Sequence, residues 1–149
     1  MRITGHKTIY RDGEYVAFPN LAVLSNGTVI CAFRHALDRQ KEFGRVTHVD
    51  PTARNVFIKS TDGGQTFSSD LHVIIDDEMS DQDPCLTILS DGRIIATYFR
   101  WQLVPQGQGP STWGAEPFEQ YGRSRHGLYD CFPVGAGYSI SDNNGSTWR

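Results

Sequence analysis

The sequence predicts an all-β protein built from a repeated unit of four antiparallel strands. Two observations lead to this fold class: short runs of β-branched and apolar residues alternate with turn residues, and one stretch of the chain occurs twice. The 149 residues include 15 Gly and 7 Pro, and 38% are hydrophobic. This balance is typical of a folded protein with many turns and not of a disordered chain.

The repeat defines the first two strands of each unit. Residues 19–33 align with residues 84–98, which lie 65 positions further along the chain. Each copy has two apolar runs around a turn dipeptide, Asn-Gly at 26–27 in the first and Asp-Gly at 91–92 in the second. Such dipeptides are the strongest short-range signal of a tight hairpin.

Further strands follow each hairpin. Residues 55–59 and 71–75 supply the third and fourth strands of the first unit, and residues 137–140 supply the third strand of the second. The first unit therefore covers about 15–76 and the second about 81–149. On this count the outer strand of the second unit is missing.

A Ser-x-Asx-x-Gly-x-Thr-aromatic motif follows the third strand in both copies. The short Asx side chain accepts hydrogen bonds from backbone N–H groups, the glycine takes a positive φ, and the aromatic ring packs between sheets. The motif is therefore predicted to be structural. Its residues are Ser60, Asp62, Gly64, Thr66 and Phe67 in the first copy, and Ser141, Asn143, Gly145, Thr147 and Trp148 in the second.

These motifs resemble the Asp boxes (BNR repeats) of the sialidase, or neuraminidase, superfamily, whose members are commonly six-bladed β-propellers that hydrolyse terminal glycosides. The resemblance covers nearly the whole chain. It also rests on the runs Ala17–Asn20, Ala32–His35, Thr47–Pro51 and Asp81–Pro84. It implies a sialidase-like β-propeller, of which this chain supplies about two four-stranded blades at the N-terminal end. It also implies an exo-acting glycoside hydrolase with a carbohydrate ligand and no cofactor or metal.

One position departs from the family pattern. Sialidases usually open the first blade with Phe/Tyr-Arg-Ile-Pro, and that Arg holds the carboxylate of sialic acid. Here residues 16–19 read Val-Ala-Phe-Pro, so Ala17 stands in its place and cannot supply two charge-assisted hydrogen bonds. Two functions therefore stay open: a glycosidase on sialic acid or another terminal sugar, and a non-catalytic propeller that binds a glycan or a protein.

The long loops are predicted to gather at one end of the sheets. Connections in an up-and-down sheet alternate between its two ends, so loops 34–54, 76–84 and 100–136 should lie opposite both Asx motifs. Loop 34–54 has five basic and three acidic residues, whereas 76–84 has five acidic residues and no basic one. Carboxyls and guanidiniums around one opening suit glycoside hydrolysis, which needs a proton donor with a raised pKa.

Asp50 is the predicted general acid/base, because the family's catalytic Asp lies in this loop. The alternative is that Asp50 caps the turn entered by Pro51. His48 either orients Asp50 or is an ordinary satisfied polar residue. In sialidases the nucleophilic Tyr, its partner Glu and the other two arginines belong to later blades, to which no segment of this sequence corresponds.

Several other residues are predicted to contact substrate. Asp83 would look into the central channel, although Asp-Pro is also a turn signal. Aromatic residues of loop 100–136 either stack on sugars or form a small core of the loop itself. The predicted substrate contacts are Arg34, His35, Arg39, His48, Asp83, Arg100 and Trp101.

Two blades cannot close a propeller, which needs about four to eight. Residues 6–10 are predicted to be a closing strand for another blade. Either further blades follow in a longer chain, or identical chains form a ring, such as a trimer.

The net charge of −3 gives no reason to expect nucleic acid as a partner. The sequence shows no signal-peptide pattern and no apolar stretch of membrane length, which predicts no membrane association and a cytoplasmic or unassigned location. Cys31, Cys85 and Cys131 lack metal-ligand spacing and are predicted to be free thiols.

Overall fold

The structure is a computed structural model that describes residues 5–45, 47–125 and 128–149. Within these residues the chain forms eight strands and three short helices, and the all-β prediction is confirmed. The strands are β1 (Tyr15–Val23), β2 (Val29–Ala36), β3 (Arg54–Ser60), β4 (His72–Ile75), β5 (Ser80–Ile88), β6 (Ile94–Pro105), β7 (Arg123–Arg125) and β8 (Tyr129–Ser141). The helices are α1 (Gln40–Phe43), α2 (Gly109–Trp113) and α3 (Ala115–Tyr121).

The first sheet has the strand order β1-β2-β3-β4, and each pair of neighbours is antiparallel. Its first hairpin closes through the predicted Asn-Gly turn. The backbone N–H of Thr28 donates to Oδ1 of Asn26 at 3.0 Å, and Gly27 has a φ of 83°. Glycine suits this left-handed conformation because it has no Cβ.

The second sheet has the strand order β5-β6-β8-β7 and differs from the prediction at its outer edge. The short strand β7 pairs with residues 129–131 of β8, so a fourth strand is present. Strands β6 and β8 continue as an arm, in which residues 101–105 pair with 129–133 and β7 adds to the edge. The arm occupies much of the predicted loop 100–136. The sequence does not reveal it, because these residues lack the strict apolar–polar alternation of a half-buried strand.

The turn at residues 60–67 is held by its own side chains. Oγ of Ser60 donates to Oδ1 of Asp62 at 2.8 Å and accepts from the N–H of Gly64 at 2.9 Å. The backbone N–H of Thr66 donates to the same Asp62 oxygen at 2.8 Å. Hydrogen bonds from Thr66 and Ser60 hold the pKa of Asp62 well below its usual range.

The turn at residues 141–148 repeats this arrangement with Asn143 in place of the Asp. Oγ of Ser141 donates to Oδ1 of Asn143 at 3.0 Å, and the N–H of Gly145 donates to Ser141 at 2.9 Å. Gly145 has a φ of 79°, and a Cβ there would lie 2.9 Å from the ring of Phe57. We call residues 60–67 and 141–148 the Asx turns. Their shared bonding shows that the two sheets end alike on this side.

The two sheets pack on each other through the main apolar core. Trp148, the aromatic residue of the second Asx turn, packs against this core with its ring centroid 6.0 Å from that of Phe57. The predicted position of this ring between sheets is therefore correct. The buried core residues are Leu24, Ile30, Ala32, Phe57, Ile74, Leu86, Ile94 and Ala96.

The other face of the first sheet has a second apolar cluster, and the N-terminal segment lies against it. Residues 6–10, predicted to be a closing strand for another blade, do not pair with either of these two sheets. Ile9 and Tyr10 pack on the cluster, and the ring centroid of Tyr10 lies 5.2 Å from that of Phe33. Burying apolar side chains on an available face stabilises this position at roughly 25 cal/mol per Å². The buried members of the cluster are Cys31, Phe33, Val56 and Ile58.

No helix within the described residues is long and apolar enough to cross a membrane. None of the three cysteines forms a disulfide within the described residues, and Cys31 and Cys131 are buried. Burial raises the pKa of Cys31 to about 11, so its thiol stays protonated and unreactive at neutral pH.

Candidate functional site

The innermost strand of each sheet carries the same irregularity beside its proline. The pairing register shifts between residues 17 and 20 in β1 and between residues 82 and 85 in β5. Within these bulges Phe18 and Asp83 have φ values of 57° and 51°. Such left-handed angles are uncommon in residues other than glycine, and a bulge redirects a side chain out of the strand's alternation.

Both redirected side chains line one pocket of about 230 Å³, which residues of both sheets enclose. The pocket brings together four of the predicted substrate contacts. Its lining residues are Phe18, Arg34, His48, Val49, Gln82, Asp83, Phe99 and Trp101.

Arg34 is the most deeply buried side chain of this pocket, with 1% of its surface exposed. Its Cζ lies 5.0 Å from the ring centroids of both Tyr15 and Phe18. Its Nη1 donates to the backbone carbonyl of His48 and to Oε1 of Gln82. The guanidinium is thus fixed between two aromatic rings and tied to both sheets.

The inner wall of the pocket contains polar atoms that have no partner among the described residues. These are Nε and Nη2 of Arg34 and Oδ1 of Asp83, all of them buried. Burial raises the pKa of Asp83, although the charges of Arg34 and His48 act against it. Buried unpaired polar groups are costly and call for an explanation such as a functional role. A carboxyl that keeps its proton to higher pH has the property that a general acid needs.

His48 stands at the rim of the pocket. Its Nδ1 lies 2.7 Å from the hydroxyl of Tyr15, and its ring centroid lies 6.2 Å from that of Phe18. The predicted role of orienting Asp50 does not match this geometry, because Tyr15 is the ring's hydrogen-bond partner. His48 instead adds a polar edge next to Phe18.

Asp50 does not line the pocket and is only 1% exposed. Its Oδ1 accepts from the N–H and the hydroxyl of Thr52 at 2.9 and 2.6 Å. Its Oδ2 accepts from Nε of Arg39 at 3.0 Å and from the hydroxyl of Thr47 at 3.2 Å. Burial alone would raise the pKa of Asp50, but the bonds from Thr52 and Arg39 hold it below its ordinary value. This geometry matches the turn-capping alternative, and a carboxylate with both oxygens engaged is poorly placed to donate a proton.

Three other predicted contacts do not line the pocket, and one of them, Arg39, pairs with Asp50 and Glu42. His35 follows Arg34 on β2 and faces the opposite side of the strand, where its Nε2 lies 2.7 Å from Oδ2 of Asp12. Arg100 is engaged in ion pairs, with its Nε 2.8 Å from Oδ1 of Asp81 and its Nη2 on Asp77. Neither guanidinium nor imidazole is available to a ligand in the pocket.

Asp81 is a second buried carboxyl near this end of the sheets. It is fully buried, and its Oδ2 has no partner within the described residues. Burial raises the pKa of Asp81 to about 6 against the attraction of Arg100, and Asp77 adds to the rise. Asp81 pairs with Arg100 across β5 and β6, so it lies beside the pocket and not in it.

The arm and its helices form their own small core, as the structural alternative for these aromatic residues predicts. The ring centroid of Trp113 lies 5.2 Å from that of Phe132 and 5.9 Å from that of Phe118. Asp130 is buried and accepts hydrogen bonds from backbone N–H groups of the loop at residues 107 and 109. Of the aromatic side chains in loop 100–136, Trp101 is the one that lines the pocket.

The predicted separation of loops and turns holds in the structure. Asp50 precedes β3 and Asp62 follows it, so they lie at opposite ends of this strand. Burial and the charge of Asp50 raise the pKa of Tyr129, which places the arm of the second sheet close to the loop of the first.

Four pocket residues have no counterpart among the predicted contacts: Phe18, Val49, Gln82 and Phe99. The repeat contains a signal for one of them. Aligned at an offset of 65 residues, Phe18 takes the place of Asp83, and each precedes a proline. Because Asp83 is predicted to face the central channel, the alignment predicts the same for Phe18.

No family model matches the chain, and no curated protein matches it. Among solved structures, a protein of unknown function from Dyadobacter fermentans DSM 18053 is similar, with 31% identity and a TM-score of 0.76. The match covers 95% of this chain and 37% of that one. The chain therefore spans little more than a third of this relative's length.

Two more distant structures carry enzyme names. The Hadza microbial sialidase Hz136 is 14% identical with a TM-score of 0.54, over 91% of this chain and 24% of that chain. The intramolecular trans-sialidase from Ruminococcus gnavus, solved in complex with oseltamivir carboxylate, is 15% identical with a TM-score of 0.60, over 95% of this chain and 50% of that chain. The fold of this chain is therefore sialidase-like.

Proposed function

We propose that the chain belongs to a glycoside hydrolase of the sialidase-like superfamily that acts on a terminal sugar, bound in the pocket around Arg34 and Asp83. The observation that carries the proposal is a carboxyl of raised pKa in a pocket on a sialidase-like fold. The pocket volume of about 230 Å³ lies below the usual range of roughly 300–1,000 Å³ for ligand sites. This small size favours a single terminal sugar over an internal stretch of polymer.

In this proposal Asp83 transfers its proton to the glycosidic oxygen as the bond to the anomeric carbon breaks, and the departing group leaves as a neutral alcohol. The raised pKa of Asp83 keeps the proton available before the step. Arg34 is fixed by its two aromatic neighbours, and its charge, which acts on Asp83, then stabilises the carboxylate that forms. The resemblance to sialidases assigns the attacking nucleophile to later blades.

We also propose that the two sheets are blades of a propeller and that the Asx turns are Asp boxes. The equal bonding of the two turns and the sheet-on-sheet packing support this. The remaining blades would come from a longer chain or from further copies of this one. The share of 24–50% that this chain covers in the two sialidase structures is consistent with a partial propeller.

A non-catalytic glycan-binding role is the second candidate, and two observations favour it. Ala17 takes the place of the usual carboxylate-binding arginine, and it lines a separate apolar cavity with Ile9 and Cys31. Asp50, the carboxyl at the family's catalytic position, is locked in its loop. A pocket of this kind can bind a sugar without cleaving it.

Hydrolysis of a panel of p-nitrophenyl α- and β-glycosides, including a sialoside, distinguishes the two candidates when it is measured on the assembled propeller, with the later blades present. Asp83→Asn is expected to lower kcat by roughly 10²–10⁴-fold, because it removes the proton donor. Asp70→Asn is the control, since Asp70 is exposed near the first Asx turn. Equal rates for wild type and Asp83→Asn would remove Asp83 from the mechanism. Saturable binding without release of p-nitrophenol would establish the binding role instead.

A further inference from the structure

The two bulges place one side chain from each repeat on opposite parts of the same pocket. Phe18 and Asp83 are equivalent in the repeat, precede equivalent prolines and share a left-handed backbone. The first sheet therefore contributes an aromatic ring to the pocket where the second contributes a carboxyl. Identical backbone geometry with different chemistry indicates that this position is used to present a side chain.

The setting of Phe18 is unfavourable for folding on two counts. A left-handed φ costs a residue with a Cβ about 1–2 kcal/mol. In addition, 45% of this large apolar side chain is exposed to solvent. Strained backbone of this kind persists where the surrounding structure over-determines it, and it clusters at ligand-binding sites. Nothing in the core requires a phenylalanine here, because Phe18 belongs to neither apolar cluster.

The ring of Phe18 is nevertheless held firmly. The guanidinium of Arg34 lies 5.0 Å from its centroid, and the ring of His48 lies 6.2 Å away at an interplanar angle of 50°. Arg34 cannot move aside, because its Nη1 is bonded to the backbone carbonyl of His48 and to Gln82. Phe18 thus offers a rigid apolar surface to the pocket that Asp83, with its unpaired Oδ1, also lines.

We infer that Phe18 is the residue on which the ligand stacks, and that it selects a pyranoside with an apolar C–H face and a hydroxyl directed at Asp83. A flat C–H face packs on an aromatic ring, while the neighbouring hydroxyl donates to the carboxyl oxygen that lacks a partner. This inference rests on the proposed function, and it names the kind of sugar that the pocket takes.

The test uses the same p-nitrophenyl glycoside panel, with binding measured by calorimetry and by saturation-transfer NMR. Phe18→Gly removes the ring and suits the left-handed backbone, so the variant should fold with a thermal midpoint close to or above that of wild type. It should bind the best glycoside of the panel roughly tenfold or more weakly. The C–H protons of one sugar face should lose their saturation signal. Phe18→Tyr keeps a ring in place and should retain binding.

Asn144→Gly is the matched control, because Asn144 also has a φ of 57° but lies in the second Asx turn. This substitution relieves the same left-handed backbone strain without changing the pocket. The variant should bind the glycoside as wild type does. Equal affinity of wild type and Phe18→Gly for a bound glycoside would overturn this inference and leave the proposed function standing. Failure of wild type to bind any glycoside of the panel would overturn both.

Discussion

Acidic side chains at the two ends of the sheets differ in their hydrogen bonding and in the direction of their pKa shift. At the Asx turns, Asp62 is exposed and accepts from Ser60 and Thr66, and its pKa is lowered. At the pocket, Asp83 is partly buried, one of its oxygens has no partner, and its pKa is raised. Asp62 lies in the turn after β3, and Asp83 lies in the bulge of β5. Satisfied polar groups build structure, whereas unsatisfied ones in a pocket are available to a ligand.

Asp50 shows that a carboxyl at the pocket end of the sheets is not necessarily available to a ligand. It lies at the pocket end, yet both its oxygens are bonded, as those of Asp62 are at the other end. Asp50 therefore stabilises its loop, and Asp83 is the better candidate for proton transfer. Substitutions of individual carboxyls test this division between structural and functional groups.

The largest expected effect is that of Asp50→Asn on stability. The amide loses the charge that Arg39 pairs with and turns an N–H toward donors, so we expect a loss of about 3–4 kcal/mol in the free energy of unfolding. Denaturant unfolding followed by circular dichroism measures this. Glu42→Gln is the control, since Glu42 pairs with the same arginine but is 55% exposed, and its loss should be under about 0.5 kcal/mol. Unchanged stability together with lost hydrolysis would return Asp50 to the catalytic role.

The second expected effect concerns pH and Asp81. Its pKa is about 6 in the folded protein against an ordinary value of 3.8, so the folded state holds this proton more tightly than the unfolded state. Stability from this group is therefore complete below pH 4 and is lost as the pH rises from about 4 to 6, by roughly 2–3 kcal/mol. In Asp81→Asn this part of the pH dependence should disappear from unfolding curves measured between pH 4 and 7. Identical pH slopes in both proteins would show that Asp81 ionises normally.

The smallest expected effect compares the two Asx turns. Ser60→Ala and Ser141→Ala each remove a buried hydroxyl that donates to the Asx side chain and accepts from a glycine N–H. We expect a loss of about 1–2 kcal/mol in each case, with glycoside binding unchanged. The measurement is the thermal midpoint of each variant beside wild type. A loss of binding in either variant would contradict the separation of turn end and pocket end.

Much of the strand layout is visible in the sequence, because the signals are local. The Asn-Gly and Asp-Gly hairpins follow from residues that tolerate a positive φ, and both Asx turns follow from side chains that bond within eight residues. The third and fourth strands of the first sheet follow from apolar runs between these turns. The arm formed by β6 and β8 does not, because its pairs, from Pro105 with Tyr129 to Trp101 with Pro133, join distant parts of the chain. The short strand β7 does not either, because its three residues, Arg123–Arg125, contain no apolar run.

The candidate site divides in the same way. From the sequence, alternating connections and a repeated inner strand predict that Arg34 and Asp83 face one end of the sheets, and the repeat also contains a signal for Phe18. The packed structure was needed to show that His35 and Arg100 do not join them and that Asp50 is bonded on both oxygens. Burial, ion pairing and pKa depend on the neighbours that two packed sheets bring together, and no local pattern in the chain specifies those neighbours.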